Sequence, residues 1–235
     1  MIQTFLDQLP DNNDKIIFLL SGGLDSAVLL RLYIQKYGKD NIKILYLKYG
    51  QRSAKFEQEK VDAITKILEV EYEVIDIGLT YTNMLKGISC QMDSDLPLTN
   101  TNQYCPGKSL IFYSYITTYA YINNIDTIVI GINANDNAMI VPAATTVFVE
   151  KYNELLAVNY TRNVLQIVTP LANITKSQSI QLLEEMDGNL DFVENTISCY
   201  APNELGESCG ICGACLGRKN AFASINKIDK ITYAI

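Results

Sequence analysis

Ser21-Gly22-Gly23-Leu24-Asp25-Ser26 is the stretch that decides how this chain is read. An apolar run at 16–20 precedes it and reads as a buried strand. A longer apolar segment at 27–37 follows, and it suits a helix packed on most sides. A strand, a glycine turn and a helix start aim backbone N–H groups outward at a positive helix end, which is a place for an anion. Adjacent glycines let the backbone approach that anion with no Cβ in the way. Ser21 and Ser26 add hydroxyl donors. The element reads as a phosphate or pyrophosphate cradle, with Leu20 to Ser26 as its candidate contacts. The plainer reading is an ordinary glycine turn in which Asp25 or Ser26 caps the helix.

Working outward, 15–20, 27–37, 42–48, 53–68 and 71–77 alternate strand, helix, strand, helix, strand. Such a run implies a Rossmann-like α/β fold with a parallel sheet and a site at the carboxyl ends of its strands. Tyr49, Gly50 and Gln51 close the second strand at that edge and are expected to border a nucleotide. A strand at 127–130 runs into Gly131-Ile132-Asn133, and Asp136 follows as a magnesium or substrate ligand, or more plainly as part of an Asx-turn. Helices are expected over 110–122, 146–158 and 177–186, with a strand at 164–168. Residues 78–108 read as a long irregular loop of functional type. The organisation expected is an α/β domain over 1–195, with a four-cysteine region, 196–235, packed on it.

Composition excludes several chemistries. The 235 residues are 48% hydrophobic, enough for one large core, and carry a net charge of −7, which disfavours nucleic acid as a partner. No apolar run reaches membrane-spanning length and no secretory leader is visible, so the expectation is a cytoplasmic protein with reduced thiols. There is no histidine. Ser-His-Asp and Cys-His catalysis are therefore excluded, and any transition-metal site must use cysteine and carboxylate.

Two motifs carry chemistry. The glycine stretch lacks the Gly-Lys-Ser/Thr of a Walker A loop and instead matches Ser-Gly-Gly-x-Asp-Ser, the pyrophosphatase-type loop of ATP enzymes that split between the α and β phosphates. Such a loop holds pyrophosphate as the leaving group while a substrate oxygen attacks the α phosphate, with magnesium bridging the phosphates. The second motif is Cys199, Cys209, Cys212 and Cys215, the right number of thiolates for tetrahedral zinc; an iron–sulfur cluster is the rival occupant. Cys90 and Cys105 stand apart from this group.

The chain resembles the 7-cyano-7-deazaguanine synthase family over most of its length. The matching pieces are 21–26, Tyr49-Gly50-Gln51-Arg52, Tyr104-Cys105-Pro106-Gly107-Lys108, Gly131 to Asp136, Pro170-Leu171, Thr175-Lys176, Ser198-Cys199-Tyr200, the cysteine cluster, Arg218 and Phe222. The resemblance implies an adenine nucleotide α-hydrolase-like fold and a homodimer. It also implies a reaction of 7-carboxy-7-deazaguanine, ATP and ammonia that forms a nitrile through an adenylated carboxylate and then an amide. Lys108 and Lys176 are the candidates to neutralise phosphate or the acyl adenylate, alongside Asp25 and Asp136.

Three pieces depart from the family pattern. Ser53 stands where a histidine is usual, Lys108-Ser109 where Arg-Asn is usual, and Met139 to Ala144 where Tyr-Pro-Asp-Cys-Arg is usual. That last departure admits a second outcome, a diverged ligase of a bacterial antiviral system that passes the deazaguanine acyl group to a protein amine. A tRNA thiolation enzyme and a catalytically dead nucleotide-binding module complete the alternatives.

Overall fold

The computed structural model describes residues 1–10, 15–78, 107–137, 145–160 and 165–234. Cys90, Cys105 and the 139–144 segment lie outside them, as does nearly all of the irregular stretch read at 78–108.

Five parallel strands form the sheet: β1 (Ile16–Leu19), β2 (Ile42–Lys48), β3 (Tyr72–Asp76), β4 (Thr127–Val129) and β5 (Gln166–Val168), in the order β3-β2-β1-β4-β5. Ile16 pairs with Ile42 on one side and Thr127 on the other, so β1 is the central strand and the order reverses between β1 and β4. In a doubly wound sheet that reversal opens a crevice at the carboxyl ends. The glycine loop leaves β1 there and Gly131 leaves β4 there.

The period-2 pattern explains why both sheet faces are covered. Ile16, Phe18, Ile44, Tyr46 and Val129 face one core, and Ile17, Leu45, Leu47, Ile128 and Ile130 face the other. The first core is closed by α1 (Ile2–Gln8), α2 (Leu24–Tyr37), α3 (Ala54–Leu68), and two later helices that we label α7 (Lys176–Asp187) and α8 (Gly213–Ser224). The second is closed by α4 (Lys108–Ile122) and α6 (Thr146–Asn159), while α5 (Ala134–Asn137) is a single turn after β4. No helix among the described residues is long and apolar enough to cross a membrane.

The structure moves one boundary that matters. Helix α2 begins at Leu24, not at residue 27, because Gly23 is its N-cap in extended conformation and no side chain caps it. Asp25 and Ser26 therefore lie inside the first helical turn, and the cap reading of either is replaced. Its residues 24–30 are all buried, as expected of a helix between the sheet and the α7–α8 layer.

Candidate active site

The loop is built from its own hydroxyls. Ser26 Oγ donates to Gly23 O at 3.0 Å and accepts from Ser21 N at 3.3 Å, while Ser21 Oγ accepts from Gly23 N at 3.3 Å. The two hydroxyls lie 3.1 Å apart. This folds 21–26 into a tight concavity and leaves the first-turn amides of α2 without intrahelical acceptors. Gly22 has φ +74°, and a Cβ there would stand 2.7 Å from the Glu57 carbonyl oxygen of α3. Both facts require glycine. Gly131 meets a different demand: a Cβ would lie 3.3 Å from both N and Cα of Ser26, so a side chain there would push the end of β4 a few tenths of an ångström from the start of α2.

Asp25, on the first turn of α2, forms an ion pair with Lys176, the first residue of α7. Helix α7 starts here because Thr175 and Gln178 make a reciprocal capping box. Its start is tied to the β4 side, since Asn135 Oδ1 accepts from Lys176 N and Ile174 O accepts from Ala134 N, both at 2.9 Å. Asp136 completes the group. Burial pushes its carboxyl up, the Lys176 ammonium pulls it down and the Asp25 carboxylate raises it again. Three of the four residues read as catalytic, Asp25, Lys176 and Asp136, thus share one corner.

Asp136 also has the plainer duty. Asn133 Oδ1 accepts from Asn135 N at 2.8 Å and from Asp136 N at 3.0 Å, while Asp136 Oδ2 accepts from Asn133 N at 3.3 Å. Two polar atoms in this corner are buried without a hydrogen-bond partner: Asp25 Oδ1 and Asn133 Nδ2. A stranded carboxylate oxygen beside a lysine and a ring of free amides is the donor set that a magnesium triphosphate would complete.

Lys108 occupies another wall. Its Nζ lies 5.6 Å from the centre of the Tyr49 ring and 5.9 Å from that of Phe112, at the end of β2. Tyr49 itself packs edge-on against Phe112, with ring centres 4.9 Å apart. Gln51 is buried and its amide is committed internally: Oε1 accepts from Tyr49 N at 2.9 Å, and Nε2 donates to Glu57 Oε2 at 2.6 Å and to Tyr46 Oη at 3.1 Å. It holds the Tyr49–Gly50 turn from beneath. Glu57, which sequence reasoning passed over, is the centre of this network and also accepts from Ser53 Oγ at 2.6 Å. Burial pushes its carboxyl up, against the pull of Ser53, Gln51 and Lys108. The signal was available: Glu57 lies one turn before Val61, on the apolar stripe of α3.

Tyr200 was also missed as a site residue. It lies between the thiols and the corner; burial raises its phenol to about 12, reinforced by the Asp136 carboxylate.

The four thiols do converge. The sulfurs of Cys199, Cys209, Cys212 and Cys215 all lie within 4.8 Å of one another, and those of Cys209 and Cys215 are 3.9 Å apart. Four thiolates about 2.3 Å from one tetrahedral ion would be about 3.8 Å apart. Backbone amides donate to the sulfurs, with Ala201 N and Cys209 N on Cys199 and Cys212 N on Cys209, at 3.2–3.4 Å. Such donors stabilise thiolate charge, so these residues fit a metal centre.

Fold and corner together define a pyrophosphatase-loop nucleotide-binding α/β protein. The chain belongs to the family described as queuosine biosynthesis protein QueC, whose model matches residues 15–226. It is 29% identical to a 7-cyano-7-deazaguanine synthase of Methanobrevibacter smithii, covering 93% of this chain and 97% of that protein. It is 31% identical to one of Methanospirillum hungatei, covering 93% and 99%. Two solved structures share the fold. One is an NMN synthetase from Francisella tularensis, with a TM-score of 0.53, 16% identity, and 97% and 85% of the two chains covered. The other is the U34-tRNA thiolase NcsA from Methanococcus maripaludis, solved with its 4Fe-4S cluster, with a TM-score of 0.52, 18% identity, and 79% and 62% covered.

Proposed function

We propose that this protein is an ATP-dependent, AMP- and pyrophosphate-forming ligase that adenylates the carboxylate of a 7-deazaguanine and joins it to nitrogen. Ammonia is the acceptor, as expected for a 7-cyano-7-deazaguanine synthase. One observation carries the reading: a chain of this family keeps a complete Ser21–Ser26 loop, with Asp25 paired to Lys176 and one Asp25 oxygen stranded at the start of α2.

The roles follow from position. Ser21, Gly22, Gly23, Leu24 and Ser26 bind the β and γ phosphates through amides and hydroxyls. Lys176 lies where charge develops as pyrophosphate departs, and stabilises it. Asp25 and Asp136 are the carboxylates suited to magnesium, which would bridge the phosphates and neutralise their charge. Leu20, Gly131 and the Tyr49–Gly50 turn border the nucleotide, with Gln51 supporting that turn. Lys108, between two aromatic rings, faces the acyl group. The four cysteines hold a single zinc ion. Sulfur separations all within 4.8 Å favour one ion, since a multi-iron cluster would spread its ligands further.

The region from 196 onward is a metal-braced tail on a 1–195 catalytic domain. The assembly we infer is a cytoplasmic homodimer, supported by exposed apolar side chains on α4 and α6, namely Leu110, Ile122, Val147, Leu155 and Val158.

The deciding experiment is incubation with 7-carboxy-7-deazaguanine, ATP and ammonia, with mass analysis of nucleotides, base and protein. AMP together with a nitrile supports the reading. The absence of AMP would sink it. A second reading is favoured by Met139 to Ala144, which lacks the charged and thiol groups usual there. In that reading the acyl group passes to a protein amine in an antiviral system, and the same experiment would register it as a mass gain on protein.

A further inference from the structure

The cysteine-bearing tail touches the glycine loop at Ile197. Ile197 N donates to Gly22 O at 2.9 Å. The Ile197 carbonyl oxygen lies 3.5 Å from where a Cβ on Gly23 would be. The side chain of Ile197 turns the other way and packs, buried, with Cys199, Cys212 and Cys215. Cys199 follows two residues later, within about 7 Å along the chain.

The same segment is fixed from below by Arg218, which has no exposed surface and lies one turn after Cys215 on α8. Its guanidinium donates to Thr196 Oγ1 at 2.8 Å, Ser198 Oγ at 3.5 Å and Val193 O at 3.2 Å, and is held by Asp229 at 2.7 and 3.0 Å. A parallel route runs through α3. Phe56 packs on the thiol cluster, and the next residue, Glu57, presents the carbonyl that crowds Gly22.

We propose that Ile197 is a positioning residue through which the four-thiolate centre sets the pyrophosphate loop, so that metal and nucleotide bind cooperatively. The inference rests on the reading of the loop and the thiols given above. Loss of the metal releases Cys199 and leaves the segment 196–199, which holds Gly22 and Gly23 in place, anchored by Arg218 and no longer by the metal. Hydrogen bonds to phosphate weaken steeply with small displacements, so nucleotide affinity falls. Linkage is reciprocal: bound nucleotide must then retain the metal by the same factor, typically about 5-fold or more.

The test uses the full zinc-loaded chain. Zinc affinity is measured by competition with a chromogenic chelator, with and without α,β-methylene-ATP and magnesium, for the native protein, Ile197→Val and Ile197→Ala, with analogue binding measured separately by calorimetry. The expected result is zinc held about 5-fold or more tightly with the analogue in the native protein and Ile197→Val, and little more tightly in Ile197→Ala. Analogue binding with unchanged zinc affinity, or the full gain kept in Ile197→Ala, would overturn this inference alone. A zinc-loaded chain that does not bind the analogue would overturn the functional reading and this one with it. If Ile197→Ala does not fold, amide exchange at Gly22 and Gly23 in the native protein decides: acceleration on zinc removal supports the coupling, and unchanged exchange refutes it.

Discussion

Replacing Lys176 with methionine removes the cation facing Asp25 and keeps a side chain of similar length. The two side chains are 16% and 12% exposed, so the pair lies between the buried and the surface regimes. Stranding one partner of a fully buried pair costs about 3–5 kcal/mol, whereas surface pairs are worth about 0–1. The geometry here points to about 2–3 kcal/mol for Lys176→Met, which leaves Asp25 and Asp136 without their shared cation, and to less for Asp25→Asn, because Asp136 still faces Lys176. The double variant leaves only the Asp136 carboxylate and should be no less stable than Lys176→Met. Urea unfolding at constant m reports all four stabilities. Additivity within about 0.5 kcal/mol would refute the pairing. The same Lys176→Met protein should bind ATP about 10-fold or more weakly, a loss of about 1.4 kcal/mol or more. Unchanged ATP affinity would show that Lys176 does not face the phosphates.

Gly22→Ala forces a left-handed backbone on a residue with a side chain and drives its Cβ against the Glu57 carbonyl. A loss of about 2 kcal/mol or more in stability and a sharp rise in KM for ATP are expected; native-like values for both would contradict the loop geometry. Glu57 gives a pH prediction. Its carboxyl is raised above the usual 4.5 by burial, so the stability it contributes is complete below about 4.5 and declines as pH rises through the folded value. Glu57→Gln should therefore gain in Tm relative to the native chain as pH rises above about 4.5, and a gap independent of pH would count against the assignment. Cys212→Ser removes one of four thiolates and should lower zinc content well below one per chain by elemental analysis; full retention would exclude a four-thiolate site.

The fold was legible because its signals were local. Apolar runs at 16–20 and 42–48 alternate with helical stripes, and glycines mark the strand ends. The cysteine cluster was legible from spacing alone. Side-chain commitments were not. Gln51 reads as a nucleotide contact at a strand end, yet Tyr49, Tyr46 and Glu57 claim its amide. Asp136 reads as a ligand or as part of an Asx-turn, and only the fold shows that one of its oxygens closes the Asn133 turn. Arg218 enters the sequence reading only as a family match after a cysteine motif, and its burial depends on Asp229 and Thr196, which no local pattern connects to it. Such pairings form across the fold and leave no period in the chain. The start of α2 was misplaced for a related reason: Asp25 and Ser26 look like turn residues until Gly23 is seen to cap the helix.

The strand order has a consequence for how the molecule comes into being. The central strand takes one neighbour from residues close behind it and the other from far along the chain, with residue 16 beside both 42 and 127. The β3-β2-β1 half can therefore assemble on the ribosome through local contacts, whereas closing β4 and β5 onto it waits for distant sequence and slows folding. The glycine loop exists early, but Lys176 and the strap at 196–199 emerge late. A nascent chain thus carries an unfinished nucleotide cradle until residues 176 and 196–199 have been synthesised, and ATP can reward only a fold that includes them.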